Sequence, residues 1–147
     1  MNTIKALTLG LVLGTAFLTT GALAGDPKIM VYKSPTCGCC TKWVSHLQEN
    51  GFEVETTDLK DLRMIKSMSG IQPEQASCHT AKVGDYVVEG HEPADDIKRL
   101  LAERPEARGL TVPGMPKGSP GMEHPNPDHY QVLLLGNDGT TEVFAEH

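Results

Sequence analysis

The stretch SPTCGCCTKW, residues 34–43, constrains the fold more than any other part of the chain. It holds a Cys-x-x-Cys pair, Cys37 and Cys40, with a third thiol, Cys39, inside the pair. It also sits at a junction. Before it, KIMVYKS (28–34) is a short, β-branched, mostly apolar run of the kind that forms a buried strand. After it, Cys40, Trp43, Val44 and Leu47 fall at helical spacing on one face from about Cys39 to Asn50, and Asn50–Gly51 is a helix stop. Thiols between a first strand and its helix point to a thioredoxin-like α/β domain.

The rest of the pattern agrees. FEVETTDL (52–59) alternates as a half-buried strand should. KDLRMIKSMSG (60–70) reads as a second short helix with Leu62, Ile65 and Met68 inward. HTAKVGDYVVEG (79–90) reads as two strands around Gly84–Asp85. A closing helix begins at Pro93 and places Ile97, Leu100 and Leu101 on one face. The order β, Cys motif, α, β, α, β-hairpin, α is that of a thioredoxin-like domain. Residues 109–128 are rich in Pro and Gly with no apolar period, so an irregular loop is expected there. The chain ends in an extra β-hairpin around Asn137–Gly139.

Residues 1–24 read as a signal peptide: Lys5, an apolar run, and Ala22-Leu23-Ala24 as the cleavage site, with Gly25 as the mature start. The apolar core is short of the roughly 20 residues that span a bilayer, so no membrane span is expected after cleavage. What remains, 25–147, suffices for one domain with a real core. The whole chain carries a net charge of −6 with histidine neutral; losing Lys5 brings it to about −7. Such a surface repels phosphate backbones, which argues against a nucleic-acid partner.

Export normally turns an even cysteine count into structural disulfides. Here three of the four cysteines lie within four residues, where closing a tiny loop gains little. A site is the better reading than a staple. Helix N-termini stabilise thiolates, so Cys37, Cys39 and Cys40 are expected as activated thiolates. That serves disulfide exchange or soft-metal binding equally. Cys39 separates the two: a third thiol invites the wrong disulfide but can bridge metal ions, and thiolates select cuprous copper, zinc or iron–sulfur clusters. Cys39 could otherwise be a small buried hydrophobe.

In this topology the loop before the third strand passes the Cys motif, which would bring Cys78, and with it His79, to the site. His91 is as well read as a surface or capping residue as a ligand. Met30, Met64 and Met68 fall on core faces and read as packing. Met115 and Met122 lie in the Pro/Gly loop near histidines. They read equally as a lid over a copper site or as cover for apolar surface.

Three separated motifs, YKSPTCGCCTKWVSHL, SCHTAKVGDYVVEGHEPADDIKRLLAERP and GLTVPGMPKGSPGME, resemble in order and spacing the CopG-type periplasmic copper-resistance proteins. The resemblance spans roughly Lys28 to Phe144. It implies a periplasmic, thioredoxin-like protein that binds several copper ions through Cys37, Cys39, Cys40 and Cys78. His79, His91, Met115 and Met122 stand in the matching motifs as further ligands. It also implies a role in copper resistance, through redox interconversion of cuprous and cupric ions, alongside other periplasmic copper-handling proteins. Whether the chain turns over a substrate as a copper oxidoreductase stays open. His124, His129 and His147 lie outside the matched motifs.

Two other readings remain. One is a thiol–disulfide oxidoreductase with Cys37 as nucleophile and Cys40 as resolver. The other is structural: a four-thiolate zinc or two disulfides. Zinc sites of that kind usually draw on two spaced Cys pairs, which this chain lacks.

Overall fold

The computed structural model describes residues 27–147, so the signal-peptide reading lies outside the described residues. Ile29–Lys33 forms β1, Gly38–Glu49 α1, Val54–Asp58 β2 and Arg63–Met68 α2. Thr80–Val83 and Tyr86–Glu89 form β3 and β4, Ala94–Glu103 α3, and Gly109–Thr111, Gln131–Leu135 and Thr141–Glu146 form β5, β6 and β7. All strands join one seven-stranded sheet in the order β2-β1-β3-β4-β5-β6-β7. Among the described residues the architecture is thus mixed α/β with a single sheet and three α-helices. No helix among the described residues is long and apolar enough to cross a membrane.

β1 pairs in parallel with β2, the two being joined through α1, and antiparallel with β3. α1 runs as the periodicity requires: Cys40, Trp43, Val44 and Leu47 are its buried residues. It ends at Asn50 and Gly51, whose φ of +92° is a left-handed stop that suits glycine. Trp43, Val44 and Leu47 meet Ile29 and Val31 of β1, Ala81 and Val83 of β3, Val88 of β4 and Ile97 of α3 in the main core. At about 25 cal/mol per Å² of apolar surface removed from water, this packing supplies the force that seats α1 on the sheet. α3 carries Asp95 and Asp96 in its first turn, where carboxylates complement the helix dipole.

Two expectations are corrected here. The segment from 109 onward is not irregular throughout. Gly109–Thr111 is β5, parallel to β4, and it carries the C-terminal hairpin into the main sheet. A three-residue strand is too short to show a period. Gly109 lies so close to β4 that a Cβ there would stand 1.7 Å from the Val87 carbonyl oxygen. The second correction concerns α2. Met64 and Met68 are 75% and 74% exposed rather than packed in the core. Ile65 and Lys66 are the half-buried residues of this short helix, and Lys66 pairs through its ammonium with the fully buried Glu89. Met30 is half-buried on β1.

Candidate metal centre

β1 delivers the chain directly to the N-terminus of α1. Cys37 is the N-cap residue, and its Sγ accepts a hydrogen bond from the Cys40 backbone N–H at 3.3 Å. A side chain there occupies the position where unpaired amide donors stabilise negative charge. Three free thiolates were the expectation at this turn; instead Cys37 and Cys40 are joined in a disulfide, leaving Cys39 and Cys78 free. The helix turn brings the Cys37 and Cys40 sulfurs together, since residues three apart share a face. Only one disulfide forms, so the two-disulfide alternative is overturned among the described residues.

Cys78 arrives just before β3, as the topology requires. Its Sγ lies 3.5 Å from Cys40 Sγ and 4.0 Å from Cys39 Sγ, while Cys39 Sγ is 3.4 Å from Cys37 Sγ. Cys78 also faces two imidazoles. His91 Nε2 is 2.9 Å from its sulfur and His79 Nδ1 is 3.4 Å away. Both histidines are fully buried, so the surface or capping reading of His91 does not hold. His91 Nδ1 lies 2.8 Å from the Pro120 carbonyl oxygen. A carbonyl only accepts, so Nδ1 carries the proton and Nε2 turns its lone pair to Cys78. His79 packs against the Trp43 ring at 4.3 Å between centroids, and its Nε2 has no hydrogen-bond partner.

Burial sets the charge state of this cluster. Desolvation lowers the pKa of His79 well below the imidazole value, helped by His91 and Lys66, and lowers that of His91 as well. Burial also pushes the Cys78 thiol up to about 12, with Cys39 adding to the shift. Two neutral imidazoles and a protonated thiol are metal ligands in waiting: a cation needs only to displace the thiol proton. Cys37, Cys39, Cys40 and Cys78 form one group of converging donor atoms, and Cys78, His79 and His91 a second, each with all its donor atoms within 4.8 Å. The chemistry suits a soft or borderline metal ion.

Two solved structures share this architecture. A copper resistance protein CopG in one form is 43% identical, covers 84% of this chain and 98% of its own, and superposes with a TM-score of 0.79. A second form of copper resistance protein CopG gives 43% identity, 84% and 99% coverage, and a TM-score of 0.80. This chain belongs to the CopG family of copper resistance proteins. Residues 75–122 also match a family described as a protein of unknown function, DUF411. No curated protein matches the chain.

In this CopG-family chain the Pro/Gly loop is pinned to the site at two points. Ser77 Oγ donates to the Gly114 carbonyl, and the Gly114 N–H donates to the Ala76 carbonyl at 3.0 Å, beside Cys78. At the other pin, Gly121 lies against the first turn of α1. Met115 and Met122 each follow a pin by one residue; Met115 is 52% exposed and Met122 is half-buried.

Several residues that shape the centre were not singled out from the sequence. Glu89 is fully buried behind Cys78: Ser77 N–H donates to its Oε1 at 2.7 Å, Thr80 Oγ1 to its Oε2 at 2.7 Å, and Lys66 neutralises it. Glu92 is fully buried and neither carboxyl oxygen has a hydrogen-bond partner. Desolvation raises its pKa well above the carboxylate value. Its backbone carbonyl accepts the Trp43 indole N–H at 2.9 Å, which fixes the ring that backs His79. Glycine at 121 inside SPGM was the readable hint of a close approach; nothing local marks Glu89 or Glu92 as buried.

Proposed function

We propose that this chain is a periplasmic copper-binding protein of copper resistance, exported by a leader cleaved after Ala24. In its reduced form it holds a thiolate-bridged, multinuclear cuprous site. The observation that carries the proposal is the convergence of all four cysteine sulfurs at the N-terminus of α1, with two buried imidazoles behind them. Cys37, Cys39, Cys40 and Cys78 are the primary ligands; His79, His91, Met115 and Met122 complete the shell. Two solved relatives that bear the name copper resistance protein support the role. The β2-β1-β3-β4 order with Cys-x-x-Cys opening α1 supports the thioredoxin-like reading of the domain. The C-terminal hairpin is its extension.

Redox interconversion of copper follows from the same residues. The Cys37–Cys40 pair stores two electrons. Oxidation of the two thiolates to one disulfide reduces two cupric ions to two cuprous ions, and the reverse step returns both electrons to the sulfurs. Copper is substrate or cargo in this scheme, and other periplasmic copper-handling proteins are the expected donors and acceptors.

The test is anaerobic loading of the reduced mature protein with cuprous ion, desalting, and a count of copper and of alkylatable thiols. Two or more copper ions per chain with protected thiols are expected, and Cys39→Ala should lower the count without loss of fold. No retained copper would overturn the proposal. The disulfide itself favours one second reading, a thiol–disulfide oxidoreductase. Insulin reduction that needs Cys37 but not Cys39 would identify that activity.

A further inference from the structure

The Cys37–Cys40 disulfide poses a question that the multinuclear reading leaves open. A disulfide offers no thiolate, so oxidation removes two of the four sulfur ligands. Among the cysteines only Cys39 and Cys78 remain free. A thiolate-bridged cluster cannot persist on that remainder, yet a compact set of donors stays in place around Cys78.

We infer that Cys78, His79 and His91 form a mononuclear site of their own, which holds one borderline divalent cation while Cys37 and Cys40 are joined. This deepens the copper-site reading and rests on its assignment of these side chains as metal ligands. The three donor atoms lie within 4.8 Å of one another. Tetrahedral donors at about 2.0–2.3 Å from an ion stand roughly 3.5 Å apart, so the site closes on a cation with small side-chain movements. The contacts of 2.9 Å and 3.4 Å from Cys78 to the two rings already lie just inside that spacing.

Three further features fit a ligand set. His91 is held from behind by Pro120, the outer hydrogen bond that orients a metal-bound imidazole and fixes its tautomer. His79 is fully buried, its ring is backed by Trp43, and its Nδ1 is the atom that faces the Cys78 sulfur, so the donor nitrogen is already aimed into the site. One thiolate with two imidazoles suits a divalent ion of borderline softness, zinc or cupric, better than it suits cuprous ion, which favours the all-sulfur set. Cys39, with its sulfur 4.0 Å from Cys78, is placed to supply the fourth position. Cys78 belongs to both donor sets, so the two modes of binding exclude one another. The redox state of one disulfide then selects between several soft ions and a single borderline one.

Cobalt(II) is the probe, because it reports thiolate ligation by charge-transfer absorption and does not oxidise thiols. The full mature chain is air-oxidised, shown by alkylation mass to carry two free thiols, and titrated with cobalt(II), with stoichiometry read by native mass spectrometry. One cobalt per chain with a thiolate charge-transfer band is expected, displaced by zinc(II) and by cupric ion. Cys78→Ser and His91→Gln should each abolish the band, and weaken binding by at least the roughly 10- to 100-fold that loss of an outer-shell partner costs. Circular dichroism identifies any variant that fails to fold, and either variant suffices. No bound cobalt, or a band that survives both substitutions, overturns the inference. If the reduced chain takes up several cuprous ions while the oxidised chain takes no cobalt, this inference fails and the copper reading stands. If the oxidised chain takes one cobalt while the reduced chain takes no more than one cuprous ion, the multinuclear reading fails and the mononuclear site stands.

Discussion

Gly121 lies against the carbonyl of Cys39 so closely that a Cβ at position 121 would stand 2.6 Å from that oxygen and 2.9 Å from the Trp43 nitrogen. The loop that carries Pro120 and Met122 is therefore seated on the first turn of α1 by its backbone. Its neighbour Pro120 holds His91, so one glycine links the Cys motif to the imidazole that faces Cys78.

Gly121→Ala should accordingly lift the loop. Its φ of +84° already strains an L side chain by roughly 1–2 kcal/mol. The clash with helix backbone adds about 1–3 kcal/mol, because that backbone cannot give way. Gly114→Ala has a similar φ of +71° but nothing within 4 Å of the new methyl, so only the strain applies. Thermal melts of the two variants should differ, with Gly121→Ala the lower. Equal melting temperatures would mean that the loop is not seated as described.

Lys66→Met should destabilise the protein by about 3–5 kcal/mol, since it leaves the Glu89 carboxylate buried without its cation. The lost charge sits behind Cys78, through Ser77 and Thr80. Adding Glu89→Gln in the same chain should recover part of the loss. Urea denaturation of the single and double variants checks both, and a single-variant cost below about 1 kcal/mol would show that Ser77 and Thr80 satisfy the carboxylate alone.

The parts of this fold that local pattern can encode were legible. The strand–Cys–helix junction, the face of α1 and the approach of Cys78 follow from periodicity and topology over short stretches. What depends on distant partners was not. Lys66 and Glu89 are 23 residues apart, and nothing in EGHEP itself marks Glu89, His91 and Glu92 as fully buried. Met64 and Met68 misled because a helical wheel ranks methionine above lysine as a core residue. The lysine is the one with a partner inside. Burial of His91 was likewise decided by Pro120, in a loop whose sequence shows no period.

His46 gives the metal-free protein an acid-sensitive contact outside the cluster. Its Nε2 accepts the Ala94 N–H at 3.0 Å at the start of α3, which requires the neutral ring. Desolvation lowers its pKa below 6.5, outweighing Glu49, Asp95 and Glu123. The unfolded chain therefore binds more protons than the folded one in this range, and stability rises with pH there. The contribution is complete above about pH 6.5 and is lost as pH falls through the depressed folded value. His46→Gln should flatten that part of the stability–pH curve of the metal-free protein, measured by denaturant midpoint between pH 5 and 8. An unchanged slope would place the acid sensitivity elsewhere.

Glu92 acts with the opposite sign. Its folded pKa is raised above 4.5 by burial first and by Glu89 second, while both its oxygens lack partners. Above about pH 4.5 the unfolded chain releases this proton and the folded chain keeps it, so the group costs stability increasingly as pH rises. Glu92→Gln keeps the shape and cannot ionise. The variant should match the parent near pH 4 and become progressively more stable than it toward pH 7, by more than the roughly 1 kcal/mol scatter of ordinary substitutions. Denaturant midpoints at the two pH values are sufficient. A gap that does not grow with pH would mean that the carboxyl is ionised in the fold and has a partner.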